Sequence, residues 1–159
     1  MSMDEVLEKL LKAMRTFDGV LEVAPGEGSG FPEVAWGDHF FYFAPDGRMP
    51  ERGQPYATVV TKNQPGDALS ELDRPGRWRL NVHVGRRAFT ELTGEEPGDP
   101  AGDRDHAATD VLQPHPVYRS HGWVAIVNPT DRSLPELLRL LRSAHDDARR
   151  RAARRDTTG

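Results

Sequence analysis

Apolar side chains recur at Met3, Val6, Leu7, Leu10, Leu11, Met14 and Phe17, the three-and-four spacing of one helical face. Gly19 stands where such a helix stops, and Ser2 with Glu5 forms a capping-box pattern at its start. Residues 20–24 read as a short strand. Residues 33–47, EVAWGDHFFYFAPDG, concentrate aromatic and β-branched side chains between Gly, Asp and Pro, the local signature of a hairpin. Gly37-Asp38 divides its two extended runs. Phe40, Phe41, Tyr42 and Phe43 are apolar on both pleats, which predicts a strand covered on both faces. Tyr56 to Thr61 is a further strand. Between the breaks at 63–66 and 74–76, Asp67 is expected to cap a short helical turn through Ala68, Leu69 and Leu72.

Residues 77–84 alternate with a period of two. Trp78, Leu80, Val82 and Val84 share one face, and Arg77, Arg79, Asn81 and His83 share the other. One apolar and one polar face is what an antiparallel sheet shows when helices cover a single side. A short helix is predicted over 85–93, ended by Gly94. Residues 95–110 form a polar, acidic loop long enough to be mobile. A strand follows at 123–127, stopped by Asn128-Pro129. Ser133 then caps a long helix with an apolar stripe at Leu134, Leu137, Leu138, Leu141, Ala144, His145 and Ala148. Residues 149–155 are expected to fray, and 156–159 to be a disordered tail.

This order predicts a single α+β domain over 1–155. It is a two-layer sandwich with a mainly antiparallel sheet of five or six strands and the terminal helices on one face. At 159 residues the chain is long enough for a core without staples. The absence of cysteine excludes disulfides, thiol catalysis and cysteine-based metal sites. Acids stand at the N-terminus where a signal peptide needs bases, and no apolar run reaches membrane-spanning length; a cytoplasmic location is the expectation.

Net charge is −4 but unevenly placed. Acids dominate 91–110, whereas arginines at 132, 139, 142, 149, 150, 151, 154 and 155 dominate the stretch from 132 to 155. A basic helix raises a nucleic-acid contact, disfavoured here because net charge is acidic and no continuous basic stripe forms. The glycines of 26–30 are followed by Phe31-Pro32 and a strand rather than by a helix, so they are no phosphate cradle. The acids of 95–110 lack the spacing of a calcium loop. The histidines show neither H-E-x-x-H nor a compact H-x-H pattern, so no metal or other cofactor is expected.

The segments FPEVAWGDHFFYFAPDG, PYATVVTKNQPGD, LDRPGRWRLNVHVGRRAF, HPVYRSHGWVAIVNP and LLRLLRSAHDDARRR together resemble an actinobacterial family catalogued as domain of unknown function 6194. That resemblance implies no activity and no catalytic residue. More distantly, the helix–strands–helix order is similar to MmcQ/YjbR-like proteins, which implies a frataxin-like sandwich and suggests DNA binding.

The residues themselves point to the polar sheet face. Arg77, Arg79, Asn81 and His83, with His115 and Trp123 from neighbouring segments, would form a concave patch carrying two fixed cations. Arginine holds carboxylate or phosphate in two parallel hydrogen bonds, so the reading is a non-catalytic module for a small anionic ligand or a protein partner. The competing reading is a solvated pleat whose arginines pair with neighbouring acids. An enzyme is the third class, with Asp38, His39 and Asp67 as conceivable members. Turn formation explains Asp38 better.

Overall fold

The computed structural model describes residues 3–51 and 53–158, with side chains for 5–51 and 53–155. The Ser2 cap and Gly159 lie outside the described residues. Helix α1 (Met3–Met14) leads into β1 (Val20–Val23), β2 (His39–Phe43), β3 (Ala57–Val60) and β4 (Arg79–His83). Helix α2 (Gly85–Thr93) precedes β5 (Gln113–Pro114), β6 (Trp123–Val127) and helix α3 (Leu134–Thr158). The strands form one six-stranded sheet in the order β1-β2-β3-β4-β6-β5, every pairing antiparallel. The molecule is an α+β sandwich.

The register fixes which side chains share a face. Phe41 opposes Ala57, Ala57 opposes Val82, and Val82 opposes Val124; Leu80 lies between Val59 and Ile126. These residues form one core with Val6, Leu10, Leu11 and Met14 of α1, Phe89 of α2, and Leu137, Leu141 and Ala144 of α3. Burial of each large apolar side chain contributes roughly 1.5–3 kcal/mol before entropy is counted. All three helices therefore cover the face that the 80/82 alternation predicts. The opposite parity, with Phe40, Tyr42, Thr58, Arg79, Asn81, His83 and Trp123, faces away from them. A small second cluster of Val60, Leu72 and Val127 covers one end of that face.

Three local expectations change. Residues Glu33–Ala35 are a 3₁₀ turn and not a strand. Trp36 donates its indole N–H to the Phe31 carbonyl and closes that loop on itself. The hairpin partner of β2 is β1, with Val20 opposite Phe43 and Val23 opposite Phe40. The Phe strand is covered unevenly on its two sides: Phe41 is fully buried under the helices, and on the other face Tyr42 is buried while Phe40 is half-buried. Asp67 caps no helix, because its carboxylate is taken by Arg79.

The acidic loop at 95–110 is laced to its surroundings. Glu95 accepts from Arg104 at 2.6 Å and from Arg119 at 2.8 Å, and Gln113 donates to the Asp105 carbonyl at 3.0 Å. Helix α3 runs through 149–155, where fraying was expected, to Thr158.

Candidate functional site

A cleft of about 910 Å³ opens on the sheet face that the helices leave uncovered. Its size falls within the range of small-molecule pockets. The floor is made by Thr58 of β3 and Arg79, Asn81 and His83 of β4; Phe40 and Tyr42 of β2 form one side. The 115–123 segment supplies His115, Tyr118, His121 and Trp123 on the other. Ala148, Arg151 and Arg155 of α3 also line it.

Backbone geometry holds the aromatic wall in place. Gly122, at φ +80°, accepts from the N–H groups of Val84 and Gly85, tying the start of β6 to the end of β4. A Cβ on Gly122 would stand 2.9 Å from Gly85 backbone atoms, so only glycine permits the crossing. The crossing sets His83 opposite Trp123, with ring centroids 5.6 Å apart. His115 lies 6.5 Å from Trp123, edge-on, and 5.0 Å from Tyr118. Apolar ring faces thus line the wall from His83 to Tyr118, a surface suited to a flat ligand body.

The polar floor is internally compensated. Arg79 is 1% exposed, and a charge so buried survives only with partners. It donates Nη1 to Asp67 Oδ1 at 3.1 Å and to Ser70 Oγ at 2.9 Å, Nη2 to Asp67 Oδ2 at 2.5 Å, and Nε to Asn81 Oδ1 at 2.8 Å. Its remaining N–H faces His115 Nε2 at 3.3 Å. Burial would raise the Asp67 carboxyl, but the hydrogen bonds and charge of Arg79 outweigh it and hold Asp67 below the ordinary carboxylate range. Removing one member of such a pair costs about 3–5 kcal/mol, because the other is left buried and alone.

His115 is also enclosed, at 2% exposure. Its Nδ1 accepts the backbone N–H groups of Val117 and Tyr118, both at 3.0 Å. A neutral ring with its proton on Nε2 satisfies both of them, and a second proton at Nδ1 would have to displace them. Burial, then the Arg79 charge, push its pKa down to about 3, against the opposing pull of Asp67. Burial also holds His83 below its ordinary value; the Arg151 charge adds to this, and a hydrogen bond to the His121 backbone opposes it.

Of the six residues the sequence grouped, the cleft collects Arg79, Asn81, His83, His115 and Trp123. Arg77 lies outside it, donating to the carbonyls of Ser70 at 2.8 Å and Ala107 at 2.6 Å. The expected pair of available cations is therefore not what the floor presents. Arg77 clamps two loops, and Arg79 is neutralised by Asp67.

The cations that do reach the cleft are Arg151 and Arg155; Arg151 is half-buried and makes no ion pair among the described residues. The apolar stripe of α3 could have disclosed both. Continued from Leu141, Ala144 and Ala148, that helical spacing falls on Arg151 and Arg155. Thr58 was equally readable, as the polar residue between inward Ala57 and Val59.

Of the conceivable enzyme residues, Asp38 and Asp67 both line the cleft but are held by other side chains, and His39 lies on the opposite face. Asp38, 1% exposed, accepts at Oδ1 from the Thr61 N–H at 2.9 Å and hydroxyl at 2.8 Å, and at Oδ2 from Gln64 at 3.3 Å. His39 faces the other side of the sheet, its Nδ1 2.8 Å from Glu22 Oε2. No group of three or more His, Asp or Glu among the described residues is arranged to hold a metal ion. No helix among them is long and apolar enough to cross a membrane.

The chain belongs to a family of unknown function, DUF6194, whose model matches residues 1–157. No curated protein and no solved structure matches it.

Proposed function

We propose that in this member of the DUF6194 family the open-face cleft binds a small molecule carrying a flat apolar body and one anionic group. The body lies along the His83–Trp123–Tyr118 wall and opposite Phe40 and Tyr42, and the anion pairs with Arg151 at the rim. The observation that carries this reading is the charge arrangement of one enclosed space. The deep arginine holds a carboxylate at 2.5 Å, whereas Arg151 at the rim makes no ion pair among the described residues and feels Asp147, one turn earlier, only at longer range. A half-desolvated guanidinium without a contact ion pair favours an anion more than a solvated surface arginine does.

Nucleic-acid binding along α3 is the weaker reading. Arg149 and Arg150 are engaged by Asp146 and Asp147 one turn earlier, and Arg142 lies over the Phe17 ring.

Thermal-shift measurements against aromatic carboxylates, aliphatic carboxylates and phosphates test the proposal. Aromatic anions are expected to raise Tm in the parent, and Arg151→Ala is expected to lower their affinity about tenfold while leaving the unliganded Tm within a degree or two. A panel without any stabilising anion, or one whose effects are identical in Arg151→Ala, would overturn it.

A further inference from the structure

The floor of the cleft has a direction. An arginine has donors and no acceptor, so the atom of Asn81 that receives the Arg79 Nε–H at 2.8 Å must be its carbonyl oxygen. That fixes the Asn81 amide: its NH₂ group points the other way and donates to Thr58 Oγ1 at 2.9 Å. The Thr58 hydroxyl, already accepting there, has no acceptor for its own proton among the described residues, and the second N–H of Asn81 has none either. Asn81 is 3% exposed, and both side chains line the cleft. The carboxylates on the same wall are committed elsewhere, Asp67 to Arg79 and Asp38 to Thr61 and Gln64.

We infer that the Arg79–Asn81–Thr58 relay makes the floor of the cleft a hydrogen-bond donor, so that the inner end of the ligand is an uncharged acceptor such as a carbonyl, amide oxygen or N-oxide. This rests on the reading of the cleft as a binding site and sharpens it. The ligand presents an acceptor to Thr58 and Asn81 and its anion to Arg151. An acceptor without charge suits the floor, since the Arg79 charge is spent on Asp67. A donor group placed there would leave two buried donors facing a third, which is what excludes it.

The polarity can be reversed without changing shape. In Asn81→Asp, one carboxylate oxygen still accepts from Arg79 Nε while the other accepts the Thr58 proton. The hydroxyl oxygen is then left to accept from the cleft. Two neutral probes separate the cases: pyridine N-oxide, which only accepts, and indole, which donates through its N–H. Dissociation constants follow from NMR titration on the parent, on Asn81→Asp and on Thr58→Val, read at the Asn81 side-chain amide where it is retained and at the Trp123 indole.

The parent is expected to bind pyridine N-oxide about tenfold more tightly than indole. Asn81→Asp is expected to invert that order. Thr58→Val, which keeps the volume and removes the donor, is expected to weaken the N-oxide severalfold and leave indole unchanged. Indole binding the parent as tightly as the N-oxide, or Thr58→Val leaving the N-oxide unaffected, overturns the relay while the cleft reading stands. If neither probe moves the Trp123 and Asn81 signals at saturating concentration, the cleft reading falls and the relay with it.

Discussion

His115 shows how one side chain can tie the fold to pH. The ring is held neutral because burial and Arg79 oppose its proton, and burial likewise holds His145 below its ordinary value. His145 donates Nε2 to the Asp18 carbonyl at 2.7 Å and accepts the Tyr56 hydroxyl at Nδ1, 3.0 Å away, so a second proton would break that contact. Both folded-state pKa values lie below the unfolded one, so below about pH 6.5 the unfolded chain takes up protons that the fold refuses. Stability is therefore greatest above that value and falls as the solution is acidified, for His115 down to about 3. The slope is about 1.4 kcal/mol per pH unit for each such histidine. Asp67 extends the loss at still lower pH, because its carboxylate is depressed in the fold and its contribution vanishes on protonation. Urea unfolding between pH 7 and 4 checks this. His115→Asn keeps an acceptor near Nδ1 without a titrating ring, and is expected to flatten the slope; a slope identical to the parent's would mean that His115 does not refuse the proton.

Among the elements, the junction of β4 and β6 governs the site most. The His83–Trp123 pair exists because Gly122 lets the two backbones meet. Gly122→Ala combines a disfavoured positive φ with a 2.9 Å approach to Gly85. Its expected cost is about 2–4 kcal/mol, well above that of an ordinary surface change. The Trp123 indole signal is expected to shift with it, because the wall is displaced before the core is. An Ala variant with the parent's Tm and an unmoved Trp123 resonance would show that the crossing tolerates a side chain. Helix α3 matters for a different reason. Its first half is a core helix, with Leu137, Leu141 and Ala144 against the sheet, and its second half delivers Arg151 to the rim. One stripe thus serves packing first and then lines the cleft.

At the scale of the whole molecule, the sheet is dry on one side and half-open on the other. That division was legible in the alternation of Trp78, Leu80 and Val82 with Arg79, Asn81 and His83, since period-two patterning reports faces directly. Helices α1, α2 and α3 were legible for the same reason at period 3.6. What patterning could not report was partnership across the chain. Asp67 reads locally as a helix cap, and only the fold brings it 12 residues along to Arg79. Arg77 and Arg79 look equivalent in an alternating strand, yet one braces loops and the other is neutralised. Residues 33–36 look extended because aromatic and β-branched side chains favour strands, but with no neighbour to pair with, that run coils into a 3₁₀ turn.

Under the proposed function, a small anion with a flat body occupies the cleft and leaves the helical side untouched. Two-dimensional ¹H–¹⁵N NMR with benzoate at constant ionic strength tests it most directly, following side-chain signals as well as backbone amides. Saturable shifts are expected at the Trp123 indole, the Asn81 side-chain amide and the backbone of residues 115–122, all strongly reduced in Arg151→Ala. Shifts confined to the outer arginines of α3, or none in the cleft at saturating benzoate, would contradict it.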